Sequence, residues 1–208
     1  MDSTVLFNVS YGLYVLTAND NGRDNGCIIN TLLQVTSVAP FTCVITVNKA
    51  NFTHDLIMDS AKFNISILST AASFDVFKQF GFQSGKNVDK FGDTDHTPVA
   101  RSANGLIYLP QGTNGYLSFH VNSATDFGSH TMFTATLTQA QRLSKEESLT
   151  YAYYQAHIKP KPTAAPDAQK PGHRCMICNF VYEGEDLPPD FICPICKHGV
   201  GDFEKITT

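Results

Sequence analysis

The sequence predicts a mainly β protein, an antiparallel barrel with a few short helices, followed by a small metal-bound module. Three observations carry that expectation. Short β-branched runs recur through the first three quarters of the chain, and helix signals are few. A proline-rich stretch without large apolar residues separates the last quarter. That quarter contains two Cys-x-x-Cys pairs.

Taken in order, Val9–Thr17 and Cys27–Thr36 are strand candidates, separated by the turn-rich Asn19–Gly26. Thr42–Val47 is short and β-branched, as a buried strand should be, and Asn64–Leu68 repeats the signal. Gly115–Asn122 and Thr131–Gln139 flank Asp126-Phe-Gly128, which predicts a long hairpin. Thr53 can cap a helix running through Leu56, Ile57 and Ala61. Ser73 can cap another, with Phe74, Phe77 and Phe80 on one face and Gly81 as its stop. Ser144-Lys-Glu-Glu147 reads as a capping box for a last helix. Cys27 and Cys43 fall in strand patterns and read as core residues rather than redox thiols.

The segment Lys159–Gly172 holds four of the ten prolines of this 208-residue chain. It cannot bury a core and reads as a semi-extended linker reaching roughly 40 Å. The expected domains are therefore 1–158 and 173–208, joined by a 159–172 linker. Hydrophobic residues make up 42% of the chain, enough for a packed core. A net charge of -4 and a pI near 5.9 argue against a nucleic-acid or anionic-membrane partner. No run is apolar enough to span a bilayer, and the N-terminus has no secretory pattern. Paired Cys-x-x-Cys motifs without such a pattern read as metal ligation in a reducing compartment, and the cytoplasm is the expected location.

Cys175 and Cys178 form one pair, Cys193 and Cys196 the other. Backbone N–H groups in each turn can point at the thiolates and offset their charge. Four thiolates in tetrahedral array suit Zn(II) or Fe, and spacing alone leaves both open. Phe180, Tyr182, Phe191 and Phe203 can form an apolar shell. Cys175-Met-Ile-Cys-Asn-Phe-Val-Tyr-Glu-Gly184, Leu187-Pro-Pro-Asp190, Cys193-Pro-Ile-Cys196 and Asp202-Phe-Glu204 resemble a rubredoxin, of the compact kind found in rubrerythrins and fused rubredoxins. The resemblance implies one iron on the four cysteines. This chain departs from the family at Asn179 and Lys197, where glycine is usual. A zinc-ribbon reading remains the alternative.

In the large domain, Asn48-Lys-Ala-Asn-Phe-Thr-His54 leads from a strand into a helix start. Exposed N–H groups there favour phosphate, and Asn48, Lys49, Asn51, Thr53 and His54 add donors and charge. Ordinary capping is the alternative. Tyr11–Thr17, Asn30–Thr36, Val47–His54, Ile65–Ser69, Phe80–Lys86 with Val88–Phe91, and Asp126–His130 occur in the order seen in flavin reductase-like proteins. That resemblance implies a split β-barrel binding FMN, usually as a homodimer with the flavin near the interface. It places Asn30 and Thr31 beside the isoalloxazine ring, and Gln34, Val35 and Thr36 along its polar edge. Asn48, Thr53 and His54 fall at the ribityl chain and phosphate. Phe82, Ser84, Gly85 and Lys86 fall in a loop that closes over the cofactor. His130 fits a segment that faces the nicotinamide in some relatives, and a hydrogen-bonded strand histidine is the equal alternative.

Flavin accepts a two-electron hydride, and a one-iron site takes one electron at a time, so the two halves together make an electron converter. The combination resembles the high-molecular-weight rubredoxins of anaerobes. It implies NAD(P)H as reductant, FMN and iron as cofactors, and a flavodiiron oxygen or nitric oxide reductase as acceptor. A flavoredoxin-like carrier without nicotinamide chemistry, and a free-flavin reductase with a zinc-bound docking module, are the alternatives.

Overall fold

The computed structural model describes residues 5, 8–92, 97–160, 172–176, 180–193 and 199–206. Strands β1 (Tyr14–Asp20) and β2 (Arg23–Ile29) pair in register from Tyr14↔Ile29 to Asp20↔Arg23. Two residues close this hairpin, Asn21 at φ 49° and Gly22 at φ 82°. Positive φ at both matches the twist of the flanking strands. The expected turn over Asn19–Gly26 is thus too long. That stretch has two Asn-Gly pairs, and only the first of them turns the chain. Asn25 is buried in β2, and a side chain at Gly26 would meet the Leu16 carbonyl at 3.1 Å and the Phe80 ring at 3.2 Å. The strands expected from Val9 and to Thr36 correspondingly begin at Tyr14 and end at Ile29.

Then come β3 (Leu33–Gln34), β4 (Thr42–Asn48), α1 (Phe52–Ser60), β5 (Lys62–Leu68) and α2 (Phe74–Gly81). Short β6 (Ala100–Arg101) and β7 (Ile107–Tyr108) precede the long hairpin of β8 (Thr113–Asp126) and β9 (His130–Arg142). α3 (Tyr151–Tyr153) runs on as a π-helical turn over Tyr154–Ile158. The last quarter contributes β10 (Gly172–Cys175), β11 (Val181–Glu183) and β12 (Phe203–Ile206).

Seven strands form one antiparallel sheet in the order β2-β1-β5-β8-β9-β4-β3. Leu16, Ile29, Ile45, Phe63, Phe119 and Phe133, drawn from both ends of that order, share one buried cluster with Leu56 and Ile57 of α1. The sheet therefore curls around α1 into a barrel, and register shifts near Ser118 and Val121 bend the long hairpin to fit. A second cluster lies on the opposite face, where α2 supplies Val76, Phe77 and Phe80 beneath Leu13, Val15, Leu109, Leu149 and Tyr154. Val15 and Leu16 serve different clusters. Both faces of β1 are covered, which is why its sequence is apolar without alternation.

Two helix starts differ from expectation. Asn51 is the N-cap of α1, and Thr53 sits buried in the first turn. Ser144 opens no helix: its hydroxyl binds the Thr113 carbonyl, and Thr150 caps the last helix by accepting from the Tyr153 N–H at 3.1 Å. Leu149 is drawn into the core in between, which holds the chain extended past the box. Among the described residues, no helix is long and apolar enough to cross a membrane.

Candidate functional site

The tail is a three-stranded sheet ordered β11-β10-β12. Cys175 closes β10, and its N–H donates to the Phe180 carbonyl at 2.8 Å. The Met176 N–H donates to the Asp202 carbonyl at 2.8 Å, so the first knuckle is held from both sides. Cys175 and Cys193 have no solvent exposure and share one cluster with Phe180 and Phe203. Phe191 meets Phe203 edge-on with centroids 5.5 Å apart. Cys178 and Cys196 lie outside the described residues. The two cysteines are the fully buried members of this cluster. A tail with so small an apolar core fits a metal as its cross-link, and buried thiol donors fit a soft or borderline ion.

In the large domain the barrel gathers the candidate flavin residues into neighbouring groups. Asn30 and Thr31 leave β2, where the Thr31 hydroxyl donates to Asn30 Oδ1 and accepts from Thr46 of β4, both at 3.0 Å. Gln34 pairs with Cys43, and its amide donates to the Thr36 carbonyl at 2.8 Å. The Thr36 hydroxyl accepts from the Thr42 N–H at 2.8 Å. Val35 stands exposed beside them.

Asn48 ends β4 directly opposite His130, the first residue of β9. Lys49 reaches Asp126 at 2.7 Å, and its N–H donates to the Ser129 carbonyl at 3.0 Å, so the hairpin tip lies along the start of α1. The Lys49 ammonium, then the Gly128 N–H, hold the Asp126 carboxyl below its usual range. His130 is exposed, with Nδ1 at 2.9 Å from the Ser129 hydroxyl. Asn48, Lys49 and Asn51 face outward around the helix start, where the first-turn N–H groups lie. Thr53 and His54 face inward. Thr53 accepts from Asn25 at 3.1 Å, and the His54 ring nitrogens meet Asp55 at 3.0 Å and Thr131 at 2.8 Å.

Two residues of the expected Asn19–Gly26 turn tie these groups together. Arg23 donates to the Gly85 carbonyl at 3.1 Å and lies 4.0 Å over the Phe52 ring. Asn25 bonds Thr53 and packs so tightly beneath Gly85 that a Cβ there would meet its amide at 2.3 Å. The segment Phe82–Lys86 is thereby fixed to the start of α1. A 690 Å³ cavity opens beside it, lined by Arg23, Asp24, Gly85, Lys86, Asp89 and Arg101 among others. Of the candidate flavin residues, Gly85 and Lys86 line this cavity and the rest do not. Cys27 and Ile29, buried two and four residues on, were the signal that would have flagged Asn25 as inward-facing.

Lys90 is another such residue. It is 4% exposed, and its ammonium donates to the carbonyls of Gly26 at 2.8 Å and Phe80 at 3.2 Å. Burial lowers its pKa to about 8, with Cys27 pulling the other way. Burial pushes the thiols of Cys27 and Cys43 up, as befits core residues.

Comparison with known proteins agrees with both halves. Residues 6–161 match the family described as flavin reductase like domain, and 173–204 match the rubrerythrin, rubredoxin-like domain. The chain is 36% identical to the high molecular weight rubredoxin of Moorella thermoacetica, over 99% of this chain and all of that one. It is 32% identical to a ferric-chelate reductase (NAD(P)H) of Archaeoglobus fulgidus, over 77% of this chain and 93% of that one. Among solved structures, the NADH:FAD oxidoreductase SgcE6 of Streptomyces globisporus aligns with a TM-score of 0.61 at 21% identity, over 70% of this chain and 83% of that one. BorF, the flavin reductase component of a bacterial tryptophan halogenase, aligns with a TM-score of 0.61 at 21% identity, over 72% of this chain and 93% of that one. Both share the fold. With a rubredoxin-like domain following a flavin reductase-like one, flavin and iron are the implied cofactors of an oxidoreductase, and the chain belongs to the high-molecular-weight rubredoxins.

Proposed function

We propose that the protein takes electrons in pairs from NAD(P)H onto FMN and passes them singly to an iron on Cys175, Cys178, Cys193 and Cys196. An acceptor protein of the flavodiiron oxygen or nitric oxide reductase type then receives them. The observation that carries this reading is the pairing, in one chain, of the two matched domains, with Cys175 and Cys193 buried together in the second. We assign 1–158 to the flavin domain, 159–172 to the tether and 173–208 to the iron domain.

FMN supplies the conversion of one hydride into two single electrons. This chain's residues supply its placement. Asn30, Thr31, Gln34, Val35 and Thr36 frame the ring. Asn48, Lys49 and Asn51, with the free N–H groups of α1, bind the phosphate, and Thr53 and His54 hold that turn from beneath. Phe82, Ser84, Gly85 and Lys86 close the cleft. His130, opposite Asn48, faces the nicotinamide. Likeness to the Archaeoglobus ferric-chelate reductase (NAD(P)H) supports a nicotinamide donor. Leu33, Val35, Val38 and Phe127 are exposed apolar residues at 64%, 56%, 71% and 63%. A second copy covers Leu33, Val35 and Val38 in a homodimer, because exposed apolar side chains so close along the chain mark an interface. Paired cysteines that must stay reduced to hold a metal support a cytoplasmic location.

The purified protein is expected to hold one FMN and one iron per chain. NADH or NADPH added without oxygen should bleach the flavin first and the red ferric colour second. Stoichiometric zinc in iron-supplied cells would reduce the tail to a docking module. A flavin that no nicotinamide bleaches would leave a carrier.

A further inference from the structure

We infer that the tail module seats in cis on the C-terminal end of α2, and that Phe82 is the contact through which the flavin domain meets the metal. This rests on the electron path proposed above and names the place where its two halves touch.

Phe82 follows the last residue of α2 and is half-buried. Its packing partners include the Cys175–Cys193 cluster, beside Phe180 and Phe203 of the tail itself. A side chain of the large domain thus completes the apolar shell of the cysteines. On its own side, Phe82 meets Phe74 edge-on at 5.7 Å, and Phe74 stacks on Phe77 at 6.5 Å. A second contact lies close by: the Lys159 ammonium reaches the carbonyl of Met176, next to Cys175, at 3.4 Å. Two contacts on one knuckle fix an orientation, where one would allow rotation.

The other end of the contact is equally fixed. Phe82 opens the segment whose Gly85 is bonded by Arg23 and wedged against Asn25. From the rim of the proposed flavin cleft to the thiols, the chain offers a rigid segment and one aromatic ring, with water excluded at the cysteines. The electron count fits a repeated short visit. A hydride from NAD(P)H and a proton from water fully reduce the flavin. Two transfers of one electron, each turning Fe(III) into Fe(II), restore it and release two protons. The ferrous tail must leave between them to unload, and a half-buried ring with one long ammonium contact is a seat that can be left.

The chain contains no tryptophan, so Phe82→Trp installs a single reporter. In the full-length, iron-loaded, flavin-free protein its emission should be blue-shifted and several-fold quenched. Adding Cys193→Ser should shift the emission red and restore its intensity. An emission typical of exposed indole in both proteins would overturn the seat. Quenching that disappears as chains exchange with an excess of Cys193→Ser protein would put the module on the second copy and overturn seating in cis. Hydrogen exchange in the chain with Phe82 intact checks this without the reporter: amides of 82–86 should exchange faster in Cys193→Ser than in the parent. In stopped flow, Phe82→Ala should slow the step from pre-reduced flavin to iron by about tenfold, as expected when a tethered encounter loses its docking contact. An unchanged rate would remove Phe82 from the path with the electron path intact. Absence of any flavin-to-iron transfer in the parent would instead reject the path, and the fluorescence result would still decide the seat.

Discussion

Lys90 keeps an ammonium inside the domain by giving its protons to two carbonyls, at the end of α2 and on β2. Its pKa falls from 10.5 to about 8 because burial disfavours the charged form. Between those values the unfolded chain binds the proton that the folded chain has lost, so folding becomes more favourable as pH rises. Below pH 8 both states are charged, and the burial cost, about 3 kcal/mol at most for such a shift, is fully present. Urea unfolding of the parent and of Lys90→Met should therefore diverge from pH 8 to pH 10.5, with the parent gaining relative to the variant. Parallel curves would mean that Lys90 is not desolvated. The neutral amine can still donate to both carbonyls, so the contact outlives the charge.

At the scale of elements, the final helix tests which local signal governs. Thr150→Ala should cost about 1 kcal/mol in denaturant unfolding, because it removes the acceptor for the Tyr153 N–H. Ser144→Ala should stay within about 0.5 kcal/mol, since no helix starts there. The capping box was a real local pattern that lost to burial of Leu149. The same competition explains the rest of what could be read beforehand. β4, β5, α2 and the β8–β9 hairpin were legible because their apolar pattern and their burial agree. The β1–β2 hairpin was misread because Arg23 and Asn25 look like loop residues until a partner is present. Asn25 is tolerated inside by its bond to Thr53, while Arg23 stays exposed and lies over Phe52. The rubredoxin-like domain was legible because its Cys-x-x-Cys spacing is local. The residues that tie Phe82–Lys86 to the start of α1 come from segments far apart in sequence, and no single run displays them.

The whole molecule distributes its charge unevenly. From residue 173 onward there are six acids, Glu183, Glu185, Asp186, Asp190, Asp202 and Glu204, against three bases, Arg174, Lys197 and Lys205. The proposed iron(III) on four thiolates would add a further negative charge. A basic acceptor surface should be steered toward this tail, so electron delivery to the partner should slow between low and physiological ionic strength. Flavin reduction by the nicotinamide should change much less. Glu185→Lys or Asp202→Lys should slow delivery alone. Stopped-flow traces insensitive to both salt and charge reversal would make the acidic surface a solubilising one and leave docking to apolar contacts.

The burial of Cys27 and Cys43 also has a practical side. Their thiols are shielded and held protonated under mild conditions, so an alkylating dye added to the folded protein passes them by. Thiolates holding the proposed ion would be blocked as well. Label taken up by a preparation would then come from tails that lack the ion, and a simple colour titration would count empty chains in the tube.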